Sequence, residues 1–175
     1  NCMPLDPVSF QRAQVRSAAV DWSGAPAAGV SLADLDPLQI ERARQVLRSK
    51  APSSGLLELP DDAFLSGLEA LREGRVTHTG LLLFARREVL AQRCPQAQFH
   101  YVLHDGETRV ARNDIERLPL LEAVDRMEQV FTGPLNPEKE IELGLFKLRV
   151  PQFPLEGVRE AVLNALTHRD YLNPG

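Results

Sequence analysis

Apolar residues recur along this chain at two spacings, one suited to helices and one to strands, and the changes between them set out a fold. Ile40, Ala43, Val46 and Leu47 keep a helical spacing after Pro37, and Lys50-Ala51-Pro52 stops it. The pattern predicts an amphipathic helix over residues 37–49, preceded by Ser31-Leu32-Ala33-Asp34, which has the form of a helix-start signal. Asp61 or Asp62 is placed to cap a second helix with Phe64, Leu68 and Leu71 on one face, ended by Gly74. Residues 77–87 are nearly all apolar, and with Thr77 as a cap they read as a third helix.

Phe99, Tyr101 and Leu103 then alternate with His100, Val102 and His104, which is a strand pattern. Asp105-Gly106 is a hairpin-turn signal, so residues 108–111 are expected to form the returning strand. Leu121, Val124, Met127 and Val130 stripe a helix over 118–131, broken by Gly133-Pro134. Residues 141–150 read as a strand interrupted by Gly144, and a last helix starts near Pro154, which suits the first helical position. The first 30 residues are weakly patterned: 15–22 fit a strand or a short helix, and 24–29 read as a flexible connection. Helices, hairpin, helix, strand and helix in that order imply an α+β fold, with helices packed on a small mixed or antiparallel sheet.

The last helix carries the informative polar residues. Leu155, Val158, Val162, Ala165 and Leu166 gather on one side and form its expected core seam, while Glu160, Asn164, Thr167, His168 and Tyr171 fall in a sector of roughly 100° opposite. Glu160 and Asn164 stand one turn apart, with His168 continuing the row. A carboxylate can accept a proton from water, and an amide oxygen is a hard ligand suited to Mg²⁺. Asn is a mediocre helix former, so its mid-helix position asks for a reason, although a solvated polar face is the ordinary explanation for such a row.

Composition narrows the classes. Among 175 residues, 43% are apolar and 25% charged, which suits one folded core or two small lobes. The net charge of −4, with both signs mixed, offers no electrostatic footprint for tight DNA binding. Cys2 and Cys94 match no ligand spacing, which predicts free thiols in a reducing, cytoplasmic setting. No apolar run is long enough to span a bilayer as a helix. The closing Tyr171-Leu172-Asn173-Pro174-Gly175 reads as a turn just past a helix, as expected of a piece cut from a larger protein.

The wider string around the last helix, from Pro151-Gln152-Phe153-Pro154 through Arg159-Glu160-Ala161, Asn164-Ala165 and His168-Arg169-Asp170-Tyr171, resembles the REAxxNAxxHRDY signature of Schlafen/AlbA-domain ATP-binding proteins. That family includes transcriptional regulators and RecG-like helicases. Thr77-His78-Thr79-Gly80-Leu81-Leu82-Leu83-Phe84-Ala85 is similar to its T-x-A-G-L-L-L-F-G block, with Thr79 and Ala85 departing from it. Pro95-Gln96-Ala97 is similar to its P-x-A, and residues 31–36 to the linker before its ATPase lobe. The resemblance implies three parts: a linker or the end of an AlbA-type domain over 1–30, a helical and hairpin region over 31–150, and the N-box helix of a truncated GHKL-type lobe over 151–175. It implies that Glu160 is the acid that activates water, that Asn164 binds Mg²⁺, and that His168 and Arg169 lie near the phosphates of ATP. It also implies DNA contact through a neighbouring domain. The D-x-G-x-G loop and glycine-rich lid of such a site do not occur in these 175 residues, so this piece alone is expected neither to bind ATP strongly nor to hydrolyse it. The alternative is a non-enzymatic module whose amphipathic helices serve homodimerisation or interdomain packing.

Other candidates carry less. His168-Arg169-Asp170 imitates a kinase catalytic loop, but the Asn required five residues on is Gly175, and no phosphate loop or strand lysine precedes it. His100 and His104 share a strand face without a third ligand nearby. Arg109, Arg112 and Arg117 are interleaved with Asp105, Glu107, Asp114 and Glu116, which reads as a solvated surface. Trp22 reads as a packing anchor.

Overall fold

Asp36 starts the first helix, α1 (Pro37–Lys50), by accepting the Leu38 amide at 2.9 Å, with Pro37 in the first turn where a missing N–H costs nothing. The structure is a computed structural model describing residues 21–105, 109–132, 136 and 138–171. The Ser31–Asp34 signal is used one step earlier than expected. The Ser31 amide and hydroxyl both donate to the Asp34 carboxylate at 2.8 Å, which closes a single 3-10 turn, Leu32–Asp34, before α1.

On α1, Arg44 is buried but fully engaged. Its guanidinium donates to the carbonyls of Leu57 (3.1 Å) and Leu59 (2.7 Å), pairs with Asp61 at 2.9 Å and lies 4.1 Å from the Phe64 ring centroid. A buried charge is tolerated when paired and hydrogen-bonded in this way, and here it ties the 3-10 turn Gly55–Glu58 and helix α2 (Asp61–Gly67) to α1.

Helix α2 stops at Gly67, short of the expected Gly74. Gly74 instead sits in a tight hairpin between β1 (Leu71–Arg72) and β2 (Arg75–Val76). Its two central residues, Glu73 (φ 52°) and Gly74 (φ 73°), both take the left-handed conformation that two-residue hairpin turns demand. Helix α3 (His78–Phe84) follows, and Thr77 caps it as expected, accepting the Gly80 amide at 3.1 Å and donating to the Glu69 carbonyl at 2.7 Å. The 77–87 segment is not one helix, however. It ends at Phe84, Ala85 is extended, and a separate helix α4 (Arg87–Arg93) begins.

Residues 24–29 are a strap rather than a loose connection. The Ala27 amide donates to the Val76 carbonyl (2.8 Å), while the His78 and Thr79 amides donate back to Ala25 (3.0 Å) and Ser23 (2.9 Å). The expected strand or helix over 15–22 lies mostly outside the described residues.

The hairpin of β3 (Phe99–Asp105) and β4 (Arg109–Glu116) matches the alternation, with Phe99 and Tyr101 buried. The return strand runs on to Glu116, well past the expected 108–111, and the turn itself lies outside the described residues. Helix α5 (Leu120–Phe131) buries Ala123, Met127 and Val130 against it. Gly133-Pro134 also lies outside the described residues.

The expected single strand over 141–150 is two strands. β5 (Glu138–Leu143) and β6 (Phe146–Pro151) pair antiparallel about Gly144, at φ 62°. The protein is thus α+β, with six helices and two-stranded antiparallel sheets among the described residues. Three apolar clusters hold it together, and α3 joins two of them through Leu81 and Phe84. None of the helices is long and apolar enough to cross a membrane, among the described residues.

Candidate functional site

Helix α6 (Leu155–Thr167) carries the candidate pair, with Pro154 as its N-cap, so the helix starts one residue later than expected. Its inward face is thinner than the expected seam. Leu166 alone is buried, Val158 and Val162 are half-buried, and Leu155 and Ala165 are exposed. Leu166 and Val162 pack on the third cluster beside Met127 and Tyr101 of α5 and β3.

Glu160 and Asn164 face outward, both exposed, and the Asn164 Nδ2 donates to Glu160 Oε1 at 3.0 Å. With Nδ2 engaged, the Asn164 Oδ1 is the atom the amide presents outward. The grooves flanking α6 are lined instead by residues such as Val158, Arg159 and Val162 on one side and Ala161, Ala165 and Arg169 on the other. Among the described residues, the acid and amide therefore stand before open solvent.

His168 is the C-cap of α6 and exposed, its amide bonded to the Asn164 carbonyl at 3.0 Å. Arg169, expected near the phosphates from the resemblance, is turned to Gln98 instead. Its Nη1 donates to the Gln98 carbonyl at 2.9 Å, and its buried Nε lacks a partner. Tyr171, expected in the polar sector, is buried at 7% exposure in the first cluster. The helical sector ends with the helix at Thr167; beyond His168 the chain turns inward, and the 100° rule no longer places its side chains.

A divalent cation finds few ligands among the described residues, in which no group of three or more His, Cys, Asp or Glu side chains could hold one. The donor set at α6 is one amide oxygen and one carboxylate. That suits Mg²⁺ held largely by phosphate oxygens and water, and does not suit a self-sufficient protein site.

The remaining candidates are accounted for locally. His100 is exposed and hydrogen-bonded through Nε2 to Asn113 Oδ1. The side chain of His104 lies outside the described residues, as does that of Arg112. Arg117 donates to Gln98 Oε1 at 2.9 Å. Cys94 is a free thiol, and burial pushes its pKa up, while Cys2 lies outside the described residues. Trp22 is a packing anchor as expected, stacked 4.2 Å from the His78 ring.

Two features were not anticipated from the sequence. One is a groove of about 240 Å³ between α5 and α6, lined by Val124, Met127, Phe131, Leu155, Val158 and Val162. The other is Asn136, buried at 8% exposure, whose amide bonds both backbone groups of Phe153 at 2.8 Å. A lone Asn in a loop gives no sequence signal for such a clamp.

This α+β arrangement places the chain among known folds. Residues 10–100 match the family described as Domain of unknown function (DUF8451), and the chain belongs to that family. It is also similar to the crystal structure of the DIP2311 protein from Corynebacterium diphtheriae, at 26% identity and a TM-score of 0.64. All of this chain is covered in that likeness but only 33% of the other, so the chain spans about a third of that relative's length. None of the curated proteins matches it. The DUF8451 match ends before α6, so Glu160 and Asn164 lie outside it.

Proposed function

We propose that this chain supplies the acid-and-amide helix of an ATP–Mg²⁺ site in a longer, DNA-associated regulatory protein of the cytoplasm. The observation that carries the reading is the Glu160–Asn164 pair, exposed, one turn apart and joined at 3.0 Å on a helix anchored from behind by Leu166. The resemblance of residues 151–171 to the signature of Schlafen/AlbA-domain ATP-binding proteins with a GHKL-type lobe supports it, as does the greater length of the solved relative.

In this reading Glu160 holds and deprotonates the attacking water, the Asn164 Oδ1 contributes to the cation, and His168 lies near the phosphates. The cation, when bound, neutralises charge on the phosphates. Arg169 is committed to Gln98, so its phosphate role requires that bond to open. Segments following Gly175 complete the adenine and lid contacts, and DNA is met by a neighbouring domain, since a net charge of −4 offers no footprint here.

Mg-ATP titration of the protein extended past Gly175, followed through the Asn164 side-chain amide resonances, tests this. Shifts saturating with Mg-ATP support it, and resonances that ignore Mg-ATP defeat it.

A second reading, an interdomain or self-association module, is favoured by one observation. β5 and β6 present Ile141, Leu143, Phe146 and Leu148 on one face, at 44%, 57%, 73% and 47% exposure. Under this reading, association grows with protein concentration and is indifferent to nucleotide.

A further inference from the structure

Helix α6 packs on α5 through Val162 and Leu166 and pairs Arg159 with Glu128 at 2.7 Å, and its C-terminal end is fastened separately to residues before 100. Only Leu166 is buried along its length, yet the turn that follows is fastened at three points. The Tyr171 hydroxyl donates to the Leu166 carbonyl at 2.8 Å, satisfying one of the carbonyls that the last turn of a helix leaves without a partner. The Tyr171 carbonyl accepts from Gln96 Nε2 at 2.6 Å, and Arg169 Nη1 reaches the Gln98 carbonyl at 2.9 Å. The Tyr171 ring lies 6.0 Å from Trp22 and within 8° of parallel, and Trp22 in turn stacks on His78 at 4.2 Å. His78 is fixed because its Nδ1 is within hydrogen-bonding distance of the Trp22 (3.1 Å) and Ala25 (3.0 Å) carbonyls.

Every anchor on the far side of this latch, Trp22, His78, Gln96 and Gln98, belongs to the DUF8451 segment, residues 10–100. The residues on the near side belong to the helix carrying Glu160 and Asn164. A rotation or shift of α6 moves the Leu166 carbonyl, and with it the Tyr171 ring against Trp22, because stacked rings and packed cores do not deform continuously. We propose that Tyr171 is a positioning residue that sets α6 against the DUF8451 segment, and that Mg-ATP at the Glu160/Asn164 site is thereby sensed at Trp22. This rests on the nucleotide reading of that site.

Trp22 is the single Trp of these 175 residues, which makes it the reporter. The test uses the full-length protein in which these residues occur, with its Trp22→Phe variant as the blank for any other Trp. Mg-ATP binding is measured by titration calorimetry and, separately, by Trp22 emission. Binding heat accompanied by a saturating change in Trp22 emission is expected. Tyr171→Phe keeps the stack and loses the bond to Leu166; it should weaken Mg-ATP binding by roughly three- to tenfold and diminish the emission change, with the melting temperature lowered only slightly. Gln96→Ala, which removes a tether without touching the ring, should act in the same direction. Binding heat with silent Trp22 emission overturns the latch and leaves the nucleotide reading standing, as do both variants behaving as wild type. No binding heat overturns both.

Discussion

Asn164 Nδ2 donates to Glu160 Oε1 at 3.0 Å across one turn of α6, with both side chains in solvent. A pair of this kind adds only a few tenths of a kcal/mol to a helix, about 0.2–0.5. Glu160→Ala and Asn164→Ala should therefore each change the unfolding free energy of the chain by less than about 0.5 kcal/mol, measured by urea denaturation. In the complete protein the consequences should be large and different. Under the proposed function, Glu160→Ala should abolish ATP turnover with a modest loss of binding, whereas Asn164→Ala should weaken Mg-ATP binding itself. Wild-type turnover in Glu160→Ala protein would remove the role assigned to that carboxylate.

Two glycines make opposite predictions from their surroundings. A Cβ at Gly80 would lie 2.3 Å from the Ala70 carbonyl oxygen and 2.9 Å from Val76 Cγ1, where the backbone of the β1 approach crosses α3. Gly80→Ala should cost about 1–3 kcal/mol or more, read as a lowered urea midpoint. A Cβ at Gly157, inside α6, meets nothing within 4 Å. Gly157→Ala should stabilise by about 0.5–1 kcal/mol, since Ala loses less conformational freedom in a helix. The same substitution giving the same sign at both positions would contradict this packing.

What was legible beforehand follows from how long each pattern runs. α1, α5 and α6 extend over enough turns for a 3.6-residue period to declare them, and the outward placement of Glu160 and Asn164 came with that period. Thr77 announced its helix because a cap is a local, one-residue device. The β1–β2 hairpin stayed hidden because each strand has two residues, too few for any alternation, and because Glu73 at φ 52° is not a residue type that signals a left-handed turn. Gly144 was read as a flaw in one strand because Leu145 and Phe146 continue the apolar run straight through the turn. Tyr171 was misplaced by extending a helical wheel past the helix, and its contacts with Trp22 and Gln96 join positions far apart in sequence, which periodicity cannot register.

Asn136 holds the base of the β5–β6 hairpin as a strand partner would, accepting the Phe153 amide through Oδ1 and donating to its carbonyl through Nδ2, both at 2.8 Å. Asn136→Ala leaves both backbone groups of Phe153 without that partner and should cost about 1–3 kcal/mol. Asn136→Asp keeps the acceptor and loses the donor, so it should be worse at neutral pH than in acid, where the protonated carboxyl regains an O–H. Hydrogen exchange at the Phe153 amide reads the effect directly. Unchanged protection there in Asn136→Ala would refute the clamp.

Alkali should loosen the protein through three buried groups. Burial is the main cause that raises the pKa of Cys94, Tyr101 and Tyr171; a hydrogen bond to Glu116 adds to it at Tyr101, and nearby Arg169 opposes it at Cys94 and Tyr171. A folded pKa above the unfolded one means the fold favours the neutral form. That stability is fully present below the unfolded values, about 8.5 for a thiol and about 10 for a phenol, and is lost as pH rises from there through the folded values. The melting temperature should accordingly decline in two stages, the first removed by Cys94→Ala and part of the second by Tyr171→Phe. Tyr171→Phe also lacks the hydroxyl that bonds Leu166, so its melting temperature should start lower at neutral pH and fall less steeply above pH 10. An alkaline slope identical to wild type in that variant would mean the Tyr171 phenol ionises as freely in the folded chain as in the unfolded one, which its 7% exposure in the Trp22 cluster contradicts.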